Sequence, residues 1–270
     1  MVELLKYLLI GFVQGISEVL PISSSGHLII IQHILNIGSE GLGFEIFLHL
    51  ASLLAVLIFL RKRIVTLVKG FFLFIFKREE QYKKDFMYCL FLVISTIPAA
   101  IVGIFIKDLL EIKSLLMVGI LLSVNATMLL ILTRLSGSKK VSEMKWHNAL
   151  TIGLFQCAGI FPGISRSGSC LSGAFANKLS KEEAADYAFL LFIPAVLGAV
   201  VLDISSIGSL LASSEVYYYL AAFIVTFITT YFAFTFLLKI IKKGKLSYFS
   251  YYCYAVSLGV IIYCLVSGIY

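Results

Sequence analysis

Gln14-Gly-Ile-Ser-Glu18-Val-Leu-Pro21-Ile-Ser23-Ser24-Ser25-Gly26-His27 has a near copy later in the chain, Gln156-Cys-Ala-Gly-Ile-Phe-Pro162-Gly163-Ile-Ser165-Arg166-Ser167-Gly168. Gln14 aligns with Gln156, and Ser23-x-Ser25-Gly26 with Ser165-x-Ser167-Gly168, both 142 residues apart in a chain of 270. An offset of about half the chain marks an internal duplication. The copies differ in their ionisable residues: the first holds Glu18 and His27, the second Arg166.

The rest of the chain makes those groups expensive. Hydrophobic residues are 60% of the total and charged residues 14%, with a mean hydropathy of +1.00, well beyond the roughly 45–50% apolar usage of soluble domains. The composition is that of an integral membrane protein, in which a Glu, a His and an Arg beside helix breaks are functional by default. The net charge of +7 does not point to a nucleic-acid partner, because Lys and Arg gather at the ends of apolar runs, where they set membrane orientation. Cys89, Cys157, Cys170, Cys253 and Cys264 lie in or beside apolar stretches without paired spacing, so neither disulfides nor a cysteine metal site are expected. The apolar run Met1 to Leu9 leads into the first motif, not into a small-residue cleavage site, so no removable signal peptide is expected.

A full span needs about 20 mostly apolar residues. Six stretches qualify: 42–60, 86–106, 115–133, 184–202, 216–238 and 247–267. The stretch 64–76 is shorter and carries Lys69, which reads as an interfacial helix or part of a tilted hairpin. The two motif stretches, 3–35 and 147–178, are apolar but broken centrally by Pro, Gly and Ser. Such breaks are tolerated at membrane depth where they are buried in protein or line a wet cavity, so both read as re-entrant hairpins.

Placing Arg61–Lys84, Arg134–Lys145, Lys178–Lys181 and Lys239–Lys245 in the cytoplasm puts 18 of the 22 basic residues inside; Lys6, Lys107 and Lys113 fall outside, and Arg166 is held in the motif. Threading the chain through these loops leaves both termini outside and makes the hairpins enter from opposite faces. The expected fold is an all-α polytopic membrane protein, an inverted-topology repeat of six transmembrane helices plus two re-entrant helical hairpins. Its halves are 1–135 and 136–270, with the site near the midplane where they meet.

In the second motif, Pro162-Gly163 ends one helix and Ser165-Arg166-Ser167-Gly168 opens the next. Helix-start N–H groups, two hydroxyls and a guanidinium make an anion site suited to phosphate. The bland alternative is an ordinary N-cap with a snorkelling arginine, but the residues flanking Arg166 are apolar or small. In the first motif, Gln14 and Glu18 are four apart and share a helix face. Glu18 and His27 could converge across the Pro21–Gly26 break as a carboxylate–imidazole pair for base or nucleophilic catalysis. Glu18 could instead hold a divalent cation, with Gln14 beside it, or the pair could only stabilise the hairpin. Ser23, Ser24 and Ser25 offer a nucleophile, Ser24 first, or phosphate donors, or simply a helix cap. Glu45 and His49 share a face of the following span and read as supporting residues or as a locally bonded pair. Asn125 reads as helix glue, Pro98 and Pro194 as kinks, and Tyr248–Tyr254 as an interface belt.

With Gln14 to His27 matching Glu/Gln-x-x-x-Glu followed by Pro-x-Ser-Ser-(Ser/Thr)-Gly-His, and Pro162 to Gly168 matching Pro-Gly-x-Ser-Arg-Ser-Gly, the chain resembles the undecaprenyl-pyrophosphate phosphatase, or bacitracin-resistance, family. Length and hydropathy agree end to end. The resemblance implies removal of the terminal phosphate of undecaprenyl pyrophosphate, yielding the lipid carrier of cell-wall synthesis. It also implies a divalent cation, Mg2+ or Ca2+, a site open to the outer face of a bacterial plasma membrane, and a homodimer. Carried over by motif, Glu18, His27 and Arg166 are the catalytic core, with Ser24, Ser165 and Ser167 around the phosphates; Ser23, Ser25 and Gly168 join the phosphate-binding set. Where the family commonly has Thr, two residues past Gly168, this chain has Cys170, a weaker donor, and Cys170 is left out of that set.

The main rival reading is a transporter of a phosphate-headed lipid, since inverted repeats with broken helices serve alternating access. A carrier has less use for a Glu–His pair than an enzyme has. A structural scaffold leaves all three ionisable groups unexplained.

Overall fold

The computed structural model describes residues 2–36, 41–106 and 114–269. Lys107 and Lys113, expected outside the membrane, lie beyond the described residues. The described residues form eleven α-helices: α1 (Val2–Val19), α2 (Ser24–Ile34), α3 (Gly41–Lys77), α4 (Lys83–Phe105), α5 (Leu115–Leu132), α6 (Trp146–Ala158), α7 (Arg166–Ala176), α8 (Lys181–Leu202), α9 (Ile204–Leu211), α10 (Val216–Lys242) and α11 (Ser247–Ser267). No strand occurs among the described residues. Among the described residues, six helical segments are long and apolar enough to cross a membrane: Gly43–Lys77, Glu80–Phe105, Leu115–Leu135, Lys181–Leu202, Val216–Lys242 and Ser247–Ser267. This is an all-α multi-pass membrane protein.

Local chemistry sets the helix starts. Ser23, Ser114, Ser165 and Ser180 each accept a bond from the backbone N–H three residues on, capping α2, α5, α7 and α8. Both motifs are broken where the sequence breaks them: Leu20–Ser23 separates α1 from α2, and Gly159–Ser165 separates α6 from α7.

Of the two readings of 64–76, the hairpin arm holds and the separate interfacial helix does not, because α3 runs unbroken to Lys77. Arg61-Lys62-Arg63 are good helix formers and nothing there interrupts the ladder. The extension packs as one arm of a hairpin on α4, with Phe71 stacked on Phe86 at 5.3 Å. Pro98 and Pro194 both lie inside continuous helical assignments.

The packing partners change places between the halves. α1 lies against α10 while α6 lies against α4, and α3 and α8 each contact both α4 and α10. At Gly11 the α10 backbone reaches contact at Ala222; at Gly153, 142 residues on, the α4 backbone does the same at Ser95. A side chain at either glycine would hold those helices apart, which is why small residues sit on membrane helix interfaces. Buried hydroxyls bind the same seams: Thr226 donates to Gly11 O (3.0 Å) and Ser95 to Ala149 O (2.6 Å). The largest apolar core joins α3, α4, α7, α8 and α10 around Val56, Tyr187 and Phe234, and takes in Leu20 and Ile22 of the first break.

Candidate active site

The two breaks touch. Ser23 Oγ accepts from Gly163 N (3.1 Å) and from Gly26 N (3.3 Å), so one hydroxyl caps α2 and grips the other tip. Asn125 of α5 joins them again, its Nδ2 donating to Pro21 O (3.1 Å) and its Oδ1 accepting from Ser165 N (3.1 Å). A Cβ on Gly26 would sit 3.0 Å from Gly163 Cα, and one on Gly168 would sit 3.3 Å from Pro21 Cβ. These two contacts are one contact with the copies exchanged, since Gly26 corresponds to Gly168 and Pro21 to Gly163. The Ser23–Gly163 bond has no counterpart, because Pro21 has no N–H to offer Ser165.

The backbone also differs between copies. Ser23 adopts φ 72, in the left-handed region, whereas Ser165 has φ −78. A non-glycine residue held there costs free energy and marks a site fixed by its surroundings. Gly163, at φ +102, is permitted by its lack of a side chain.

Position N1 of the two inner helices carries the division of labour. It is Ser24 in α2 and Arg166 in α7, the equivalent positions of the duplication. Ser24 Oγ donates to Glu18 Oε2 at 2.6 Å, and Gln14 Nε2 donates to the same oxygen at 2.8 Å. The Arg166 guanidinium lies over the Phe192 ring, 5.5 Å from its centroid, and its buried Nη1 has no hydrogen-bond partner within the protein. Glu18 and Arg166 line one small cavity of about 10 Å3 with Ser167, Gln156, Cys170 and Phe192. Glu18 and Arg166 form no ion pair among the described residues.

The expected Glu18–His27 pair is not what the tips assemble. The imidazole beside Glu18 is His49 of α3, with Nδ1 2.9 Å from Glu18 Oε2. His27 lies one turn along α2 and faces α11 instead: its Nδ1 meets Ser23 O at 2.8 Å, its Nε2 meets Tyr252 Oη at 2.9 Å, and its ring stacks on Tyr252. Ser24 and His27, three residues apart, lie on neighbouring positions of α2, and the bonds to Ser23 O and Tyr252 Oη hold the His27 ring toward α11.

The remaining residues fall into two groups. Ser23, Ser165 and Gly168 are committed to the tips: the Ser165 hydroxyl accepts from Gly168 N at 3.0 Å, so that helix-start N–H is already taken. Ser167 lines the cavity, bonded to Ser165 Oγ (3.0 Å) and Leu20 O (3.4 Å), while Ser25 Oγ lies 3.5 Å from Ser23 Oγ. The Cys170 thiol donates to Gln156 Oε1 (3.4 Å). For a hard divalent cation the available donors are oxygens, as Mg2+ or Ca2+ prefers: the Glu18 carboxylate, and Gln14 Oε1, which is buried without a partner. No group of three His, Cys, Asp or Glu side chains gathers among the described residues.

Sequence reasoning missed Phe192, an apolar residue in an apolar span with nothing to single it out. Tyr252 was read into the aromatic belt, and Asn125 as general glue, although it joins both tips. The i, i+4 spacing of Glu45 and His49 did mark α3 as a contributor.

Comparison with known proteins now gives the family. The profile described as Bacitracin resistance protein BacA matches residues 7–260. Undecaprenyl-diphosphatase 2 of Bacillus thuringiensis (strain Al Hakam) is 40% identical over 263 residues, 96% of this chain and 97% of that protein. Undecaprenyl-diphosphatase of Oceanobacillus iheyensis is 41% identical over 267 residues, 96% of each, and Undecaprenyl-diphosphatase 1 of Shouchella clausii is 39% identical over 268. The chain belongs to the bacitracin-resistance family.

Proposed function

We propose that this member of the bacitracin-resistance family hydrolyses undecaprenyl pyrophosphate to undecaprenyl phosphate and inorganic phosphate, recycling a lipid carrier for cell-wall synthesis. The names of its full-length relatives support the reaction. The observation that carries the mechanism is one cavity lined on one side by a hydroxyl-bonded carboxylate, Glu18, and on the other by a guanidinium with an unpartnered nitrogen, Arg166.

Arg166 binds the terminal phosphate and neutralises charge that spreads over its oxygens in the transition state, in a site where a fixed cation is strongly felt. Ser167 adds a hydroxyl donor beside it. Ser24 Oγ attacks the terminal phosphorus as its proton passes to Glu18 Oε2, and undecaprenyl phosphate leaves. Glu18 hands that proton to the departing undecaprenyl phosphate and, ionised again, takes a proton from the water that attacks the phosphoserine and releases phosphate. His27 stays in the proposed catalytic set as the imidazole nearest Ser24 along α2, released to substrate when its Tyr252 bond opens. Glu18 and Gln14 would hold a Mg2+ or Ca2+, which when bound would supply further charge neutralisation.

The membrane arrangement belongs to the same proposal. The contacts exchanged between the tips, and between α1–α10 and α6–α4, support a two-fold relation of 1–135 to 136–270. Three spans per half then make the repeats inverted, the hairpins re-entrant, and the site open to the outer face of a bacterial plasma membrane. The Ser24–Glu18 bond favours hydrolysis over transport, because a carrier needs no hydroxyl set against a base.

The test is phosphate release from undecaprenyl pyrophosphate by purified protein in detergent, wild type beside Glu18→Ala, His27→Ala and Arg166→Ala. Release by wild type and not by Arg166→Ala is expected. Wild-type release no faster than the variants would reject hydrolysis, and variants that bind but no longer move lipid across vesicles would favour transport.

A further inference from the structure

We propose that His49 is a positioning residue of this site, holding the Glu18 carboxylate against Ser24 from outside the hairpin that carries both. The inference rests on the hydrolase reading above.

Three donors converge on one atom. Glu18 Oε2 lies 2.6 Å from Ser24 Oγ, 2.8 Å from Gln14 Nε2 and 2.9 Å from His49 Nδ1. Two come from the first hairpin itself, Gln14 from α1 and Ser24 from α2. His49 comes from α3, and its side chain is 14% exposed. Glu18 hangs on a two-carbon stem at the last turn of α1, next to a break, where the local helix alone does not fix a rotamer. The α3 contact supplies a fixed point from a helix spanning 37 residues and packed on α1, α4, α8 and α10.

The tautomer follows from the partners. Nδ1 faces a carboxylate oxygen, so it carries the hydrogen. Gln14 Nε2 lies 3.1 Å from the same Nδ1 and gives its own hydrogen to Glu18, closing a triangle around Oε2. His49 therefore acts as an N–H donor, and its role is met by any side chain that places an N–H at that point. This is the base-and-orienter arrangement of catalytic triads with the order changed: hydroxyl, carboxylate, then imidazole.

Donor chemistry sets the test apart from simple packing. His49→Leu keeps apolar volume and removes the donor; His49→Gln keeps an N–H at similar reach. Loss of a group that orients a catalytic residue costs roughly 10–100-fold in activity, and that loss is expected in kcat for His49→Leu, with KM within about threefold of wild type. His49→Gln should recover most of it. Thermal midpoints are measured for all three proteins, with Arg166→Ala as the inactive reference. A folded His49→Leu with wild-type kcat, or a folded His49→Gln as slow as His49→Leu, would overturn the role of His49 while leaving hydrolysis standing. Wild type that releases no phosphate would reject the hydrolase reading and this inference with it.

Discussion

Arg166 is the residue on which the proposed chemistry turns, because its buried nitrogen has no internal partner and it lines one cavity with Glu18. Replacing a cation that stabilises phosphoryl transfer costs roughly 10^3–10^5 in kcat, and Arg166→Ala should fall in that range in a phosphate-release assay. Arg166→Lys should stay well below wild type, since a point charge cannot reproduce a fork of donors stacked on Phe192. Glu18→Gln removes the base while keeping the side chain's shape, and should lower kcat by roughly 10^2–10^4. Both residues were legible in the sequence, since an Arg or a Glu in apolar surroundings must be there for a reason. The imidazole was not. His27 stands in the motif and His49 does not, yet the His27 ring is held by Ser23 O and Tyr252, and His49 lies beside Glu18. Motif spacing gives order along the chain, whereas ring direction depends on packing from α3 and α11.

At the scale of elements, the tips hold each other through few bonds, so each bond matters. Ser23→Ala removes an N-cap and the link to Gly163 N together, and should cost about 1–2 kcal/mol in thermal unfolding in detergent. Asn125→Leu leaves Pro21 O and Ser165 N unpartnered in a buried place, which should cost roughly 1–3 kcal/mol and lower activity without touching substrate. The helix breaks were readable from Pro, Gly and Ser. What joined them was not, because an asparagine inside a span shows only that some partner exists. The length of α3 was also hidden: three basic residues in a row read as the end of a span, yet a helix runs through them to pack on α4.

For the whole molecule, six apolar spans and the 142-residue offset were visible before any coordinate, and the exchanged contacts at Gly11 and Gly153 follow that offset. The proposed orientation makes a direct prediction. In a chain freed of its own cysteines, Lys243→Cys should react with an impermeant thiol reagent only after the cytoplasmic face is opened; reaction in intact cells would overturn the topology. The central claim is that each copy of the duplication brings half of one catalytic centre. Its most direct test is the kcat for phosphate release of Glu18→Gln, Arg166→Ala and the double variant, each shown to be folded. Groups acting in one centre are strongly non-additive, so the double variant should be about as slow as the slower single variant. A double variant slower by the product of the two single losses would show that the halves act independently, contradicting a shared site.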